Sequence, residues 1–104
     1  MISLSTAAIE QIRNSAEVSG MASIPLRVAV KQLEDGSFHY AMGFDEQRLP
    51  GDSFFNFDGV DLVVATASKD LADGMTIDYV ELLAGKPEFI FLNPNDPDYV
   101  APQS

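Results

Sequence analysis

The sequence predicts a small mixed β-sandwich, α+β in class and mainly β in content, with an N-terminal helix and one short internal helix packed outside it. Three observations lead to this. After a single amphipathic stretch, the apolar residues switch from a helical period to alternation and keep it through a series of short runs. Those runs are separated by Gly, Pro and Asp, the residues that supply turn geometry. The runs do not alternate with helices, so the sheet should be mostly antiparallel or mixed rather than a βαβ array.

Taken in order, residues Ser5 to Val18 place Ile9, Ile12 and Ala16 on one stripe and Glu10, Arg13, Asn14 and Glu17 toward water. Ser5 or Thr6 is suited to cap that helix, and Gly20 to end it. Beyond Pro25, Leu26, Val28 and Val30 alternate with Arg27, Ala29 and Lys31 as a half-buried strand requires. Gln32 to Gly36 is a turn, and Phe38, Tyr40, Met42 and Phe44 share one face of the strand that follows, giving a hairpin. Residues 45–52 are polar and carry Pro-Gly, which predicts a surface loop. Phe54 to Phe57 and Val60 to Ala65 meet across Asp58-Gly59, a dipeptide suited to a tight turn. Thr66 to Ala72 is compatible with two helical turns stopping at Asp73-Gly74. Strands are expected at Thr76 to Leu83 and Glu88 to Leu92, joined through Gly85-Lys86-Pro87 and closed by Asn93-Pro94-Asn95. The domain is expected over residues 1–95, with 96–104 a flexible tail that carries Pro97 and Pro102.

At 104 residues the chain is one domain and buries somewhat over about 60 % of its unfolded surface. No run approaches a membrane-spanning length, and the start lacks the layout of a signal peptide, so a cytoplasmic protein is expected. Sixteen carboxylates against six Lys and Arg give a net charge of -10, which disfavours direct contact with nucleic acid or anionic lipid. The absence of Cys removes disulfides, thiolate metal sites and cysteine nucleophiles together.

Glu34, Asp35 and His39 form the only cluster of oxygen and nitrogen ligands worth naming, two carboxylates and an imidazole that suit a hard divalent metal. Acidic residues also belong in solvated turns, and His39 falls opposite the aromatic face of its strand, so a plain surface turn is the simpler reading. Ser37 beside His39 suggests a nucleophile and base, but no third orienting group and no G-x-S-x-G turn accompany them. Phosphate-binding glycine loops are missing too. The run Phe54-Phe55-Asn56-Phe57 and the Phe38 to Phe44 face read first as core, with a partner-binding patch as the functional alternative. Asp96, Asp98 and Tyr99 offer a tail that a basic partner would dock on.

The segment GVDLVVATASKDLADGMTIDYVELLAGKPEFIFLNPN, residues 59–95, resembles the A-type iron-sulfur carrier (HesB/IscA-like) family. It has that family's Gly-Val strand, short Ser-containing helix, Ile-Asp-Tyr-Val strand and Phe-x-Phe-x-Asn-Pro-Asn close. Leu4-Ser5-Thr6-Ala7-Ala8, Leu26-Arg27-Val28 and Tyr40 extend the likeness to about residues 2–95. Family members hold iron or a cluster on three cysteines, one in a turn after the first strand and two in a Cys-Gly-Cys near the C-terminus. The resemblance puts Asp35, or at least one of Glu34 to Gly36, at the first position and Val100 and Pro102 at the others, so every ligand is replaced. It therefore implies the HesB-like fold with no cofactor, no cluster carried and no enzymatic activity. Cysteine-free relatives occur in gene clusters for dissimilatory sulfur oxidation. That setting implies an interaction or regulatory protein with protein partners in cytoplasmic sulfur oxidation. The alternative is an iron or divalent-metal carrier or sensor using Glu34, Asp35 and His39.

Overall fold

The computed structural model describes residues 2–99. The elements run β1 (Ser3–Leu4), α1 (Thr6–Ser19), β2 (Leu26–Gln32), β3 (Phe38–Phe44), β4 (Ser53–Phe57), β5 (Val60–Val64), α2 (Thr66–Lys69), β6 (Thr76–Leu83) and β7 (Lys86–Leu92). They form a three-stranded sheet, β1-β6-β7, and a four-stranded sheet, β3-β2-β5-β4. Both are mixed, because β1 runs parallel to β6 and β2 runs parallel to β5.

Helix α1 begins where the Ser5 hydroxyl accepts a hydrogen bond from the Ala8 N–H at 3.1 Å, satisfying one of the free donors of the first turn. The same hydroxyl donates to the Asp78 carboxylate at 2.5 Å, which ties the helix start to β6. Gly20 ends the helix at φ 71°, and the Met21 N–H closes back on the Ala16 carbonyl at 2.8 Å. The buried stripe is Ala8, Ile12 and Ala16; Ile9, expected on it, is only partly buried. A methyl side chain at Ala8 lets the helix lie close against the core, and the longer Ile9 fills the flank.

β2 pairs with β3 over its whole length, from Leu26 opposite Phe44 to Gln32 opposite Phe38. Leu26, Val28 and Val30 point inward and are buried. β4 and β5 form the expected hairpin, whose turn residues Asp58 and Gly59 both take positive φ, at 52° and 91°. Leu62 and Val64 of β5, Ile77 of β6 and Met75 before it complete the core with α1.

The structure departs from the sequence reading in three elements. β1 was not expected, because two residues cannot display a period; it exists through the Ser3 and Ser5 N–H groups, which donate to Met75 and Ile77 carbonyls at 2.8 and 3.0 Å. α2 is one turn, ending at Lys69, rather than two turns reaching Ala72. There the Leu71 and Asp73 carbonyls bond to the side-chain amides of Asn93 and Asn95, and the chain bends through Gly74 at φ 81° into β6. β7 begins at Lys86, so Pro87 lies within the strand and the turn is shorter than expected. Proline is tolerated there because β7 is the edge of its sheet.

Candidate functional site

Asp35 sits in the exposed turn between β2 and β3, and its partners are local. Its carboxylate accepts from the Ser37 N–H at 2.9 Å and from the Ser37 hydroxyl at 2.5 Å. Those two bonds hold the Asp35 carboxyl below its ordinary range. Ser37 is thus engaged with Asp35, and His39, exposed on the outer face of β3, stands opposite Lys31 in the sheet register. Among the described residues no group of three or more His, Asp and Glu side chains is placed to hold a metal ion, so Glu34, Asp35 and His39 are not brought together. Val100 and Pro102 lie outside the described residues.

The segment leading toward those two positions is anchored from Asn93 to Tyr99. Asn93 is fully buried at 0 % exposure, its amide donating to the Leu71 carbonyl at 2.7 Å while its oxygen accepts from the Asn95 N–H at 3.1 Å. The Asn95 amide bonds to the Leu71 and Asp73 carbonyls at 3.2 and 2.6 Å. The Asn-Pro-Asn sequence therefore does more than end β7. Its two amides supply donors to the Leu71 and Asp73 carbonyls in the bend between α2 and β6. Asp96, the first residue of the expected tail, accepts from the Tyr40 hydroxyl at 2.6 Å, and a turn follows in which the Tyr99 N–H donates to the Asp96 carbonyl at 2.9 Å. The Tyr40 ring stacks on Phe91 with centroids 4.6 Å apart. Burial, together with the Asp96 bond, pushes the Tyr40 phenol well above its ordinary value.

Two further polar networks frame the four-stranded sheet. Arg27, expected to be a solvent-facing residue of its strand, is the centre of a knot that binds residues 45–52 to the sheet. It donates to both oxygens of Asp52 at 3.1 and 2.8 Å, to Asp45 at 3.0 Å and to the Gln47 carbonyl at 2.8 Å. The Asp52 side chain is only 1 % exposed, and the Arg27 pair holds its carboxyl below the usual range. The Thr66 hydroxyl donates to the Gly51 carbonyl at 2.8 Å, so close that any side chain at Gly51 would collide with it. Ser68 of α2, buried at 4 %, accepts from the Val30 N–H at 3.0 Å and donates to the Val30 carbonyl at 3.2 Å. Its hydroxyl thus continues the ladder of β2 past the last pair made with β5, Val28 with Val64. Sequence reading missed Arg27, Ser68 and the two asparagine amides as network centres, because their partners lie 15 or more residues away. The polar Arg27 amid an alternating strand, followed by the acid-rich 45–52 loop, was the one visible hint.

Two sheets with an Asn-Pro-Asn close pinned to the bend after α2 define a small mixed α/β scaffold. No family model matches the chain. It is 34 % identical over 94 residues to the iron-sulfur cluster insertion protein ErpA of Xanthomonas campestris, an alignment covering 90 % of this chain and 73 % of that protein. The crystal structure of IscA with the [2Fe-2S] cluster superposes with a TM-score of 0.73 at 28 % identity, over 90 % of this chain and 86 % of that one. Escherichia coli SufA, described as involved in biosynthesis of iron-sulfur clusters, gives a TM-score of 0.75 at 26 % identity, over 96 % and 86 % of the two chains. The chain belongs to the A-type iron-sulfur carrier family, with the HesB fold of IscA and SufA.

Proposed function

We propose that this chain is a non-catalytic, cysteine-free member of the A-type carrier family that carries no cluster and acts through its surface as an interaction or regulatory protein. Its setting is cytoplasmic sulfur oxidation, on the dissimilatory sulfite reductase pathway, as in the cysteine-free variants called DsrR. One observation carries the reading: the family's fold is kept, while the chain holds no thiolate. Asn93, Asn95 and Tyr40 brace the segment leading to Val100 and Pro102, and Asp35 spends its carboxylate on Ser37. A soft Fe-S core needs thiolate donors, and carbon side chains supply none. The frame is then free to serve as a rigid recognition surface, and its acidity favours encounter with basic partner proteins.

Two experiments test the reading. Affinity capture on the tagged full chain from its native host should recover proteins of sulfur oxidation or of iron-sulfur maturation in stoichiometric amounts; a reproducibly empty capture counts against it. Anaerobic reconstitution with iron and sulfide should leave the purified chain colourless, and a stoichiometric, stable chromophore would overturn it. The carboxylate-and-imidazole alternative has no geometric support, since Glu34, Asp35 and His39 are not gathered at one point.

A further inference from the structure

We propose that the cavity between the two sheets beside α2 binds a small amphiphile, an alkyl chain with one anionic head. The chain entering β1, strands β4 and β5, and the bend after α2 enclose a volume of about 300 Å³. Ile2, Val64 and Ala72, none more than 3 % exposed, and the partly buried Phe55 line it, together with the exposed Lys69 and Asp73. Small-molecule sites have this make-up, apolar walls with a few charged groups that fix orientation, and this volume lies at the lower end of their range. Voids left by ordinary packing are rarely larger than a water molecule.

The walls are fixed from outside. The Asn93 and Asn95 amides hold the Leu71 and Asp73 carbonyls on either side of Ala72, and Ser68 pins α2 to Val30 of β2. A ligand therefore meets walls already in place, and little ordering is lost when it enters. Ala72 contributes only a methyl group, so the space is kept open by the smallest apolar side chain. Two other cavities lack this combination. One between Arg13, Glu17 and Asp61 is smaller, at about 130 Å³, and lined by charges of both signs. The other lies on the outer face of β2 and β3 beside Arg27, whose guanidinium is already paired with Asp45 and Asp52.

Lys69 selects the head. It is the last residue of α2, and among the described residues no carboxylate pairs with its ammonium. Asp73 has a partner of its own, which leaves the ammonium as the charge available to a ligand. A carboxylate there puts its alkyl chain among Ile2, Phe55, Val64 and Ala72. Volume sets the length of that chain: a cavity of about 150 Å³ holds one benzene ring, so twice the space takes on the order of ten to twelve heavy atoms, the size of octanoate. The net charge of -10 slows the approach of an anion, and burial of the alkyl chain supplies the affinity. This site is independent of the functional reading above, which partner capture and reconstitution decide.

Octanoate titrated into the isotope-labelled full chain, to about 10 mM, should shift the NMR signals of Ile2, Phe55, Val64 and Ala72 with a dissociation constant of about 0.1–1 mM. Octan-1-ol and octylamine should each bind about threefold or more weakly than octanoate, and Lys69→Gln should remove that preference while leaving octan-1-ol unaffected. Ala72→Leu fills the cavity and should weaken octanoate by about tenfold or more. Phe55→Trp fills it from another wall and serves the same purpose if Ala72→Leu does not fold. No shift at the four apolar residues, shifts confined to other surfaces, equal affinity for the three heads, a preference that survives Lys69→Gln, or binding undiminished in a folded filling variant would each overturn the proposal.

Discussion

The turn that carries Asp35 and the segment from Asn93 to Tyr99 are held in opposite ways. Asp35 satisfies itself within two residues, on Ser37, and is exposed. Asn93, Asn95 and Asp96 reach across the chain to Leu71, Asp73 and Tyr40, and Asn93 is sealed from water. A carboxylate in an exposed turn settles on local partners, whereas the segment around Asn93 cannot change without stranding buried polar groups.

The sharpest way to break this contrast is Asn93→Ala, which leaves the Leu71 carbonyl with only its longer bond to the Asn95 amide, takes the acceptor from the Asn95 N–H and opens a void in the bend. It should cost about 3 kcal/mol, read by urea denaturation at constant m-value. A loss no larger than that of a surface substitution would mean the bend does not depend on the amide. Ser68→Ala comes next, at about 2 kcal/mol, because both Val30 main-chain groups lose their hydroxyl. Hydrogen exchange at the Val30 amide should accelerate in that variant, and unchanged protection would show that water replaces the hydroxyl.

Tyr40→Phe keeps the ring stack on Phe91 and removes only the bond to Asp96, for an expected loss of about 1–2 kcal/mol. Its pH signature separates it from a packing effect. The folded phenol titrates above its unfolded value of 10.0, so the stability it contributes is complete below pH 10 and declines as the pH rises beyond it. In Tyr40→Phe that share of the alkaline loss should vanish; an identical alkaline profile would refute the latch. The smallest effect belongs to the other region. Asp35→Ala should leave the thermal midpoint within experimental scatter, because the side chain is exposed and its partners are local. Ferrous iron titrated anaerobically should give the same response with the wild type and with Asp35→Ala or His39→Ala, and a binding signal lost in the variants would restore the metal reading.

Most strands were legible in the sequence because alternation is a local property. Leu26, Val28 and Val30, or Phe38, Tyr40, Met42 and Phe44, declare their inner face by spacing alone. The Asp58-Gly59 turn was equally plain, since few dipeptides take two positive φ values in succession. Phe54 was not legible: it belongs to an aromatic run that reads as core, and only the strand's pleat sends Phe55 and Phe57 inward and Phe54 out. The candidate site was legible in what it lacks and illegible in what holds it. Zero Cys is a count, while the reach of Asn93 to Leu71 or of Arg27 to Asp52 exists only after the chain has folded.

By itself, then, the sequence determined the strand faces, the helix limits at Ser5 and Gly20, the acidic surface and the loss of every thiolate, because each follows from residue type and short-range spacing. Tertiary structure alone decided that α2 stops after one turn, that β1 exists at all, and that Arg27, Ser68 and Asn93 are structural centres rather than surface polar residues. The physical reason is the same in each case. A buried polar group must find its partner wherever the folded chain brings one, and long-range pairing leaves no periodic trace along the sequence.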